Sequence, residues 1–122
     1  MIPTLCLVAA GRFLLGLMFI IAGLRNFARL SQRTEFKTNY GFALPVPLLV
    51  GGFAVQLAGG IAVAFGLWPQ WGALALIAFI VPATALFHNV LMFTGKERDP
   101  HIYFVTVNLA LIGAFLLVIA VG

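Results

Sequence analysis

Acidic side chains are scarce in this chain, and cysteine is scarcer. Of 122 residues, three are Asp or Glu, seven are Lys or Arg, and one is Cys. The acidic residues Glu35, Glu97 and Asp99 all stand among basic neighbours in polar stretches. No apolar segment therefore carries the paired carboxylates that intramembrane proton relays use. A single cysteine, Cys6, excludes an internal disulfide and an iron–sulfur cluster; a small apolar filler is its expected role. There is no Gly-rich phosphate loop with its lysine, and no His or Cys set has metal-ligand spacing. Self-contained catalysis is not expected, so no catalytic residue and no metal ligand is assigned.

Hydrophobic residues make up 63% of the chain and charged ones 8%, against about 25% charged in soluble domains. No charge lies between Lys37 and Lys96, and none follows Asp99. Those two uncharged stretches, with the shorter one around Arg12, hold four spans of about 20 residues each. The expectation is one domain over 1–122, an all-α integral membrane four-helix bundle with spans at about 5–24, 48–67, 71–93 and 101–121. The net charge of +4 does not point to nucleic acid, because the basic residues sit at membrane edges rather than on one groove-reading surface.

The first span holds the central puzzle. Arg12 is effectively always charged and lies in an apolar run, where a guanidinium needs an internal partner. Arg12, Gly16, Phe19, Gly23 and Asn26 recur at spacings of four and three and so share one helical face. Glycines there let a neighbouring backbone approach, which is how helices gain packing in lipid. No Lys or Arg precedes Leu5 and the run is span-length, so a retained helix is expected rather than a cleaved leader.

Arg25, Arg29, Arg33 and Lys37 follow at intervals of four. On a continuing helix they form one basic stripe, giving an amphipathic segment at about 25–40 that meets anionic lipid headgroups; a solvated basic loop that only fixes topology is the alternative. Pro45 and Pro47 open the second span, where Gly52, Gln56, Gly59 and Gly66 share a face. Trp68-Pro69-Gln70-Trp71 reads as a tight interfacial reversal. The third span contains Pro82, a kink site, followed by Thr84 and His88. Asp99 as N-cap with Pro100 behind it starts the fourth span, whose inner polar groups are Thr106 and Asn108.

Helical rise places these groups at different depths. From the face holding both termini, Arg12 lies about 11 Å in, Gln56 about 17 Å, Asn108 and Thr84 about 20 Å and His88 about 25 Å. An arginine stem bridges the first gap, so Arg12 is expected to donate to the Gln56 carbonyl. Buried Gln, Asn and Thr otherwise serve as interhelical hydrogen bonds. A haem shared by His88 and His101 is disfavoured, because two histidines flanking a short reversal do not obviously face each other across a macrocycle.

Six basic residues lie in the loops after the first and third spans, Arg25, Arg29, Arg33, Lys37, Lys96 and Arg98, and none lies outside the membrane on the other side. The positive-inside bias then puts both termini on the non-cytoplasmic side.

Gly11-Arg12-Phe13-Leu14-Leu15-Gly16 with Phe19 and Ala22-Gly23-Leu24, Gln56-Leu57-Ala58-Gly59-Gly60 with Phe65-Gly66-Leu67, Phe87-His88, and Asn108-Leu109-Ala110-Leu111-Ile112-Gly113 stand in that order. Together they resemble the DoxX family of small four-helix bacterial membrane proteins. The resemblance implies a bacterial inner membrane location, where the basic loops make the termini periplasmic, and work beside redox partners, since related proteins are described as parts of thiosulfate:quinone oxidoreductase and of a mycobacterial membrane oxidoreductase complex. Relatives often carry an acidic residue where Gln56 stands and a lysine where Arg25-Asn26 stands, so a buried Arg12–carboxylate pair is missing here. The functional expectation is an accessory membrane subunit of a quinone-linked or other redox complex, at most a non-catalytic part of an oxidoreductase. Quinone is the one cofactor considered, with Arg12, Gln56, Thr84, His88 and Asn108 as its candidate contacts. The alternative is a structural or assembly subunit that packs against a larger membrane complex and its lipids.

Overall fold

The structure, a computed structural model, describes residues 3–122. Five α-helices form it: α1 (Thr4–Ala28), the single-turn α2 (Leu30–Arg33), α3 (Val46–Phe65), α4 (Pro69–Phe87) and α5 (Arg98–Val121). Four segments are long and apolar enough to cross a membrane, Thr4–Ala28, Val46–Phe65, Pro69–Met92 and Gly95–Val121. The all-α four-span architecture read from the sequence is therefore present.

Local chemistry sets the helix ends. Pro45 is the N-cap of α3 and Pro47 lies in its first turn, where a missing N–H costs nothing. Gly66 stops α3 with φ at 69°, a left-handed conformation that glycine takes without a Cβ penalty. Trp68 follows with φ at 46°, and Pro69 starts α4 at once.

Three boundaries differ from the sequence reading. α1 runs to Ala28, beyond the expected Leu24. α4 stops at Phe87 with His88 as C-cap, and a 3-10 turn at Val90–Met92 fills what was read as its last turn. α5 starts at Arg98 behind Glu97, so Asp99 lies in its first turn, where a carboxylate suits the helix dipole, instead of capping it. The basic stripe is also broken. At Arg29 the backbone leaves helical geometry, φ −114° and ψ 28°, so the face carrying Arg25 does not continue to Lys37. Arg25, Arg29 and Lys37 stay exposed, while Arg33 is half-buried.

The helices pack in chain order, α1 on α3, α3 on α4 and α4 on α5. Two glycine contacts set their register. A Cβ on Gly16 would come within 2.5 Å of the Gly60 carbonyl and the Ala64 nitrogen, and one on Gly60 within 2.9 Å of the Gly16 carbonyl. Gly59 and Gly72 bring α3 and α4 together in the same way. In lipid such backbone approach replaces the hydrophobic effect as the source of helix association. The core of Phe19, Val63, Ala73, Leu76, Ile80, Phe115 and Val118 fills the interior between them. α1 and α5 meet through side chains, Phe19 edge-on to Phe115 with ring centroids 5.3 Å apart.

Candidate functional site

Beyond Phe19, towards the charged loops, all four spans line an open cavity of about 440 Å³. Asn26, Arg33, Gln56, His88 and Asn108 line it together with apolar residues from all four spans. Met18 and Phe36 also line it while being about half exposed, so its rim is apolar.

On the α1–α3 side the polar groups form a chain. Gln56 is buried at 7% exposure, and its side-chain oxygen accepts from Asn26 Nδ2 at 2.8 Å. Asn26 in turn accepts from Arg33 Nε at 3.0 Å. The break at Arg29 is what lets α2 fold back so that Arg33 reaches Asn26. Arg33 lies over the Phe36 ring, 5.3 Å from its centroid, in a cation–π arrangement. Its terminal nitrogens have no hydrogen-bond partner among the described residues, and its side chain lines the cavity.

On the α4–α5 side Asn108 Nδ2 donates to Thr84 Oγ1 at 2.8 Å, and Thr84 donates to the Ile80 carbonyl at 2.7 Å. One turn further, His88 Nδ1 lies 3.0 Å from His101 Nδ1. Each ring is backed by an aromatic, His88 by Phe104 with centroids 4.6 Å apart and His101 by Phe93 at 3.8 Å. The two histidines thus do face each other, but in direct hydrogen-bond contact that leaves no space for a macrocycle.

The loop from Thr34 to Pro45 caps this end. Asn39 donates from its backbone to the Leu86 carbonyl at 2.7 Å and from its side chain to the Ala85 carbonyl at 3.2 Å. Those are last-turn carbonyls of α4 that have no partner within the helix. Asn89 Nδ2 reaches Tyr40 Oη at 3.3 Å from the other side.

Arg12 belongs elsewhere. Its Nη1 donates to the Gly122 carbonyl at 2.9 Å, and its guanidinium lies beside Gly66. No bond to Gln56 forms. Arg12 stands level with Gly66 and Gly122, so the start of α1 and the end of α5 are not at one height, as the expected depths require. Residues 4–11 overhang that plane by about 12 Å. Arg12 and Gln70, which donates to the Ile119 carbonyl at 2.9 Å, cover the carbonyl end of α5, where positive charge is favourable. Cys6 lies exposed on the overhang rather than filling space. Thr106 is exposed as well, its hydroxyl turned back to the Ile102 carbonyl.

Of the sequence candidates, then, Gln56, Thr84, His88 and Asn108 gather around the cavity or its wall, and Arg12 does not. Arg33, expected among the lipid-headgroup contacts, lines the cavity, and Asn26 and His101 carry no site assignment in the sequence reading. The face shared by Asn26 with Gly16 and Gly23 was the available signal for that residue. The turn that folds Arg33 inward has no comparable signature.

The family model described as DoxX matches residues 7–89, which takes in α1 from Leu7 onward, α2 to α4, and every cavity residue except those contributed by α5. Searches of curated proteins and of solved structures gave no match. With a match over more than half of its length and four apolar helices long enough to span a bilayer, the chain belongs to the DoxX family of membrane proteins.

Proposed function

We propose that this protein is an accessory subunit of a quinone-linked redox complex in the bacterial inner membrane, holding a quinone head group in the cavity lined by all four spans. The observation that carries the reading is the convergence of Arg33, Asn26, Gln56, His88 and Asn108 on one cavity with an apolar rim. Ligand sites typically combine apolar walls with a few polar groups that fix orientation. A quinone matches that division, since its two carbonyl oxygens accept hydrogen bonds and its isoprenoid tail belongs in lipid. Arg33 would donate to one carbonyl and His88 to the other, on opposite walls.

The test is purification of the protein with its native partners in mild detergent, followed by extraction and measurement of bound quinone. Retention in the wild type and loss in Arg33→Gln and His88→Phe are expected. Equal retention in both variants would place any quinone outside this cavity.

One observation favours the second reading, a structural or assembly subunit. The overhang of α1 exposes Leu5 at 83% and Leu7 at 56%, apolar surface with no helix of this chain beside it. Tight copurification with a membrane complex that carries no quinone would support that role.

A further inference from the structure

The contact between His88 and His101 has a chemical property that neither ring has alone. Two nitrogens at 3.0 Å form a hydrogen bond only when one carries the proton and the other a lone pair. The pair therefore holds one proton on its shared edge, and each ring keeps its Nε2 for another partner. Neither Nε2 has a protein partner, and neither is among the described buried nitrogens that lack one, so both remain accessible. His88 lines the cavity. His101 lies one turn into α5, next to the charged run of Lys96, Glu97, Arg98 and Asp99. Stacking on Phe104 and Phe93 holds the two rings in register.

We propose that His88 and His101 form a proton-transfer pair joining the charged-loop face to the cavity. A proton arriving at Nε2 of His101 makes that ring an imidazolium. The proton on its Nδ1 passes to Nδ1 of His88, and His88 releases the proton on its own Nε2 to an oxygen base in the cavity. One proton enters and one leaves, no electrons move, and the shared hydrogen bond ends with its direction reversed. Reset needs the rings to part and each to exchange one proton, His88 giving up its Nδ1 proton for one on Nε2 and His101 its Nε2 proton for one on Nδ1, with no net gain or loss. The groups around the pair suit this use. Arg33 is the charged side chain that lines the cavity. Asn26, Gln56 and Thr84 from the packed helices are neutral, and Arg98 and Asp99 near His101 are of opposite sign. Aqueous protons thus reach a ligand oxygen without water entering the apolar mouth.

The inference rests on the proposed function only for the identity of the acceptor, a phenolate-type oxygen of a reduced quinone. It is tested on the full chain in lipid nanodiscs with isotope-labelled histidine. A scalar coupling between the two Nδ1 atoms is expected in the wild type. Exchange of the His88 imidazole proton with bulk water should slow by about 100-fold in His101→Phe, the scale of a positioned proton-transfer group. His101→Gln retains a hydrogen-bonding side chain but no titrating ring, so it should slow exchange equally while keeping the wild-type unfolding midpoint. Unchanged exchange in His101→Gln overturns the pair, and quinone retention in that variant shows that the cavity reading survives. Absence of quinone from every variant, with exchange still dependent on His101, overturns the quinone and leaves the pair standing.

Discussion

Arg12 Nη1 and the Gly122 carbonyl oxygen meet at 2.9 Å across 110 residues of sequence, tying the first span to the end of the last. The same guanidinium lies beside Gly66, the left-handed C-cap of α3. One charge therefore serves two helix ends at which carbonyl groups point outward, the arrangement a positive charge stabilises. This is also the terminal end of the α1–α5 seam, which Phe19 and Phe115 continue inward. Losing Arg12 should loosen the seam that closes the cavity from the far side.

Arg12→Leu should destabilise the folded protein by about 1.5–3 kcal/mol, the range for hydrogen bonds to charged groups. Arg12→Lys should recover part of that, because an ammonium keeps the charge but lacks the planar fork that reaches two sites. Unfolding in mixed micelles measures both. Equal stability of Arg12→Leu and wild type would mean that the contact with Gly122 contributes nothing.

Gly16→Val should be more damaging than its small volume suggests. The added Cβ would lie 2.5 Å from main-chain atoms of Gly60 and Ala64, and backbone cannot move aside as a flexible side chain can. A loss at or above the usual overpacking cost of about 1–3 kcal/mol is expected. Gly113 is the control, since a Cβ there meets nothing within 4 Å. Gly113→Ala should be neutral or stabilising by about 0.5–1 kcal/mol from helix propensity. The two substitutions read by the same unfolding assay should differ in sign or nearly so.

Asn26 and Gln56 should be energetically coupled. A double-mutant cycle of Asn26→Ala and Gln56→Ala should give an interaction of about 0.6–2 kcal/mol, the range for interhelical side-chain hydrogen bonds in membranes. Arg33→Ala should couple to Asn26, its direct partner at 3.0 Å. A cycle that sums to zero would show that the chain from Arg33 to Gln56 does not persist in lipid.

Both termini should face the periplasm. Arg25, Arg29, Arg33, Lys37, Lys96 and Arg98 lie at one end of the bundle, and Arg12 alone lies at the other. Six against one still favours the loop end as cytoplasmic under the positive-inside bias. Alkaline phosphatase fused after Gly122 should be active and green fluorescent protein dark. The reverse pattern would overturn the orientation.

Much of the fold was legible because the relevant physics is local. Three apolar stretches, the middle one broken at Gly66 and Pro69, determine four spans wherever the chain is placed in lipid, since backbone groups there can be satisfied only within helices. The face carrying Gly16, Phe19 and Gly23 was equally readable, and those three residues are the buried positions of α1, because helical period alone decides which residues share a side.

Partner choice was not legible, because it depends on how far one helix slides along the next. The contact of Gly16 with Gly60 and Ala64 sets that register, and it lifts Arg12 out of reach of Gln56 to the level of Gly66 and Gly122. The turn at Arg29 likewise moved Arg33 from a basic stripe to Asn26. The early end of α4 and the short turns before α5 brought His88 onto His101. Composition and period determined that these polar groups had to find partners inside the bundle; only the relative height of packed helices, a tertiary quantity with no local signature, decided which ones they found.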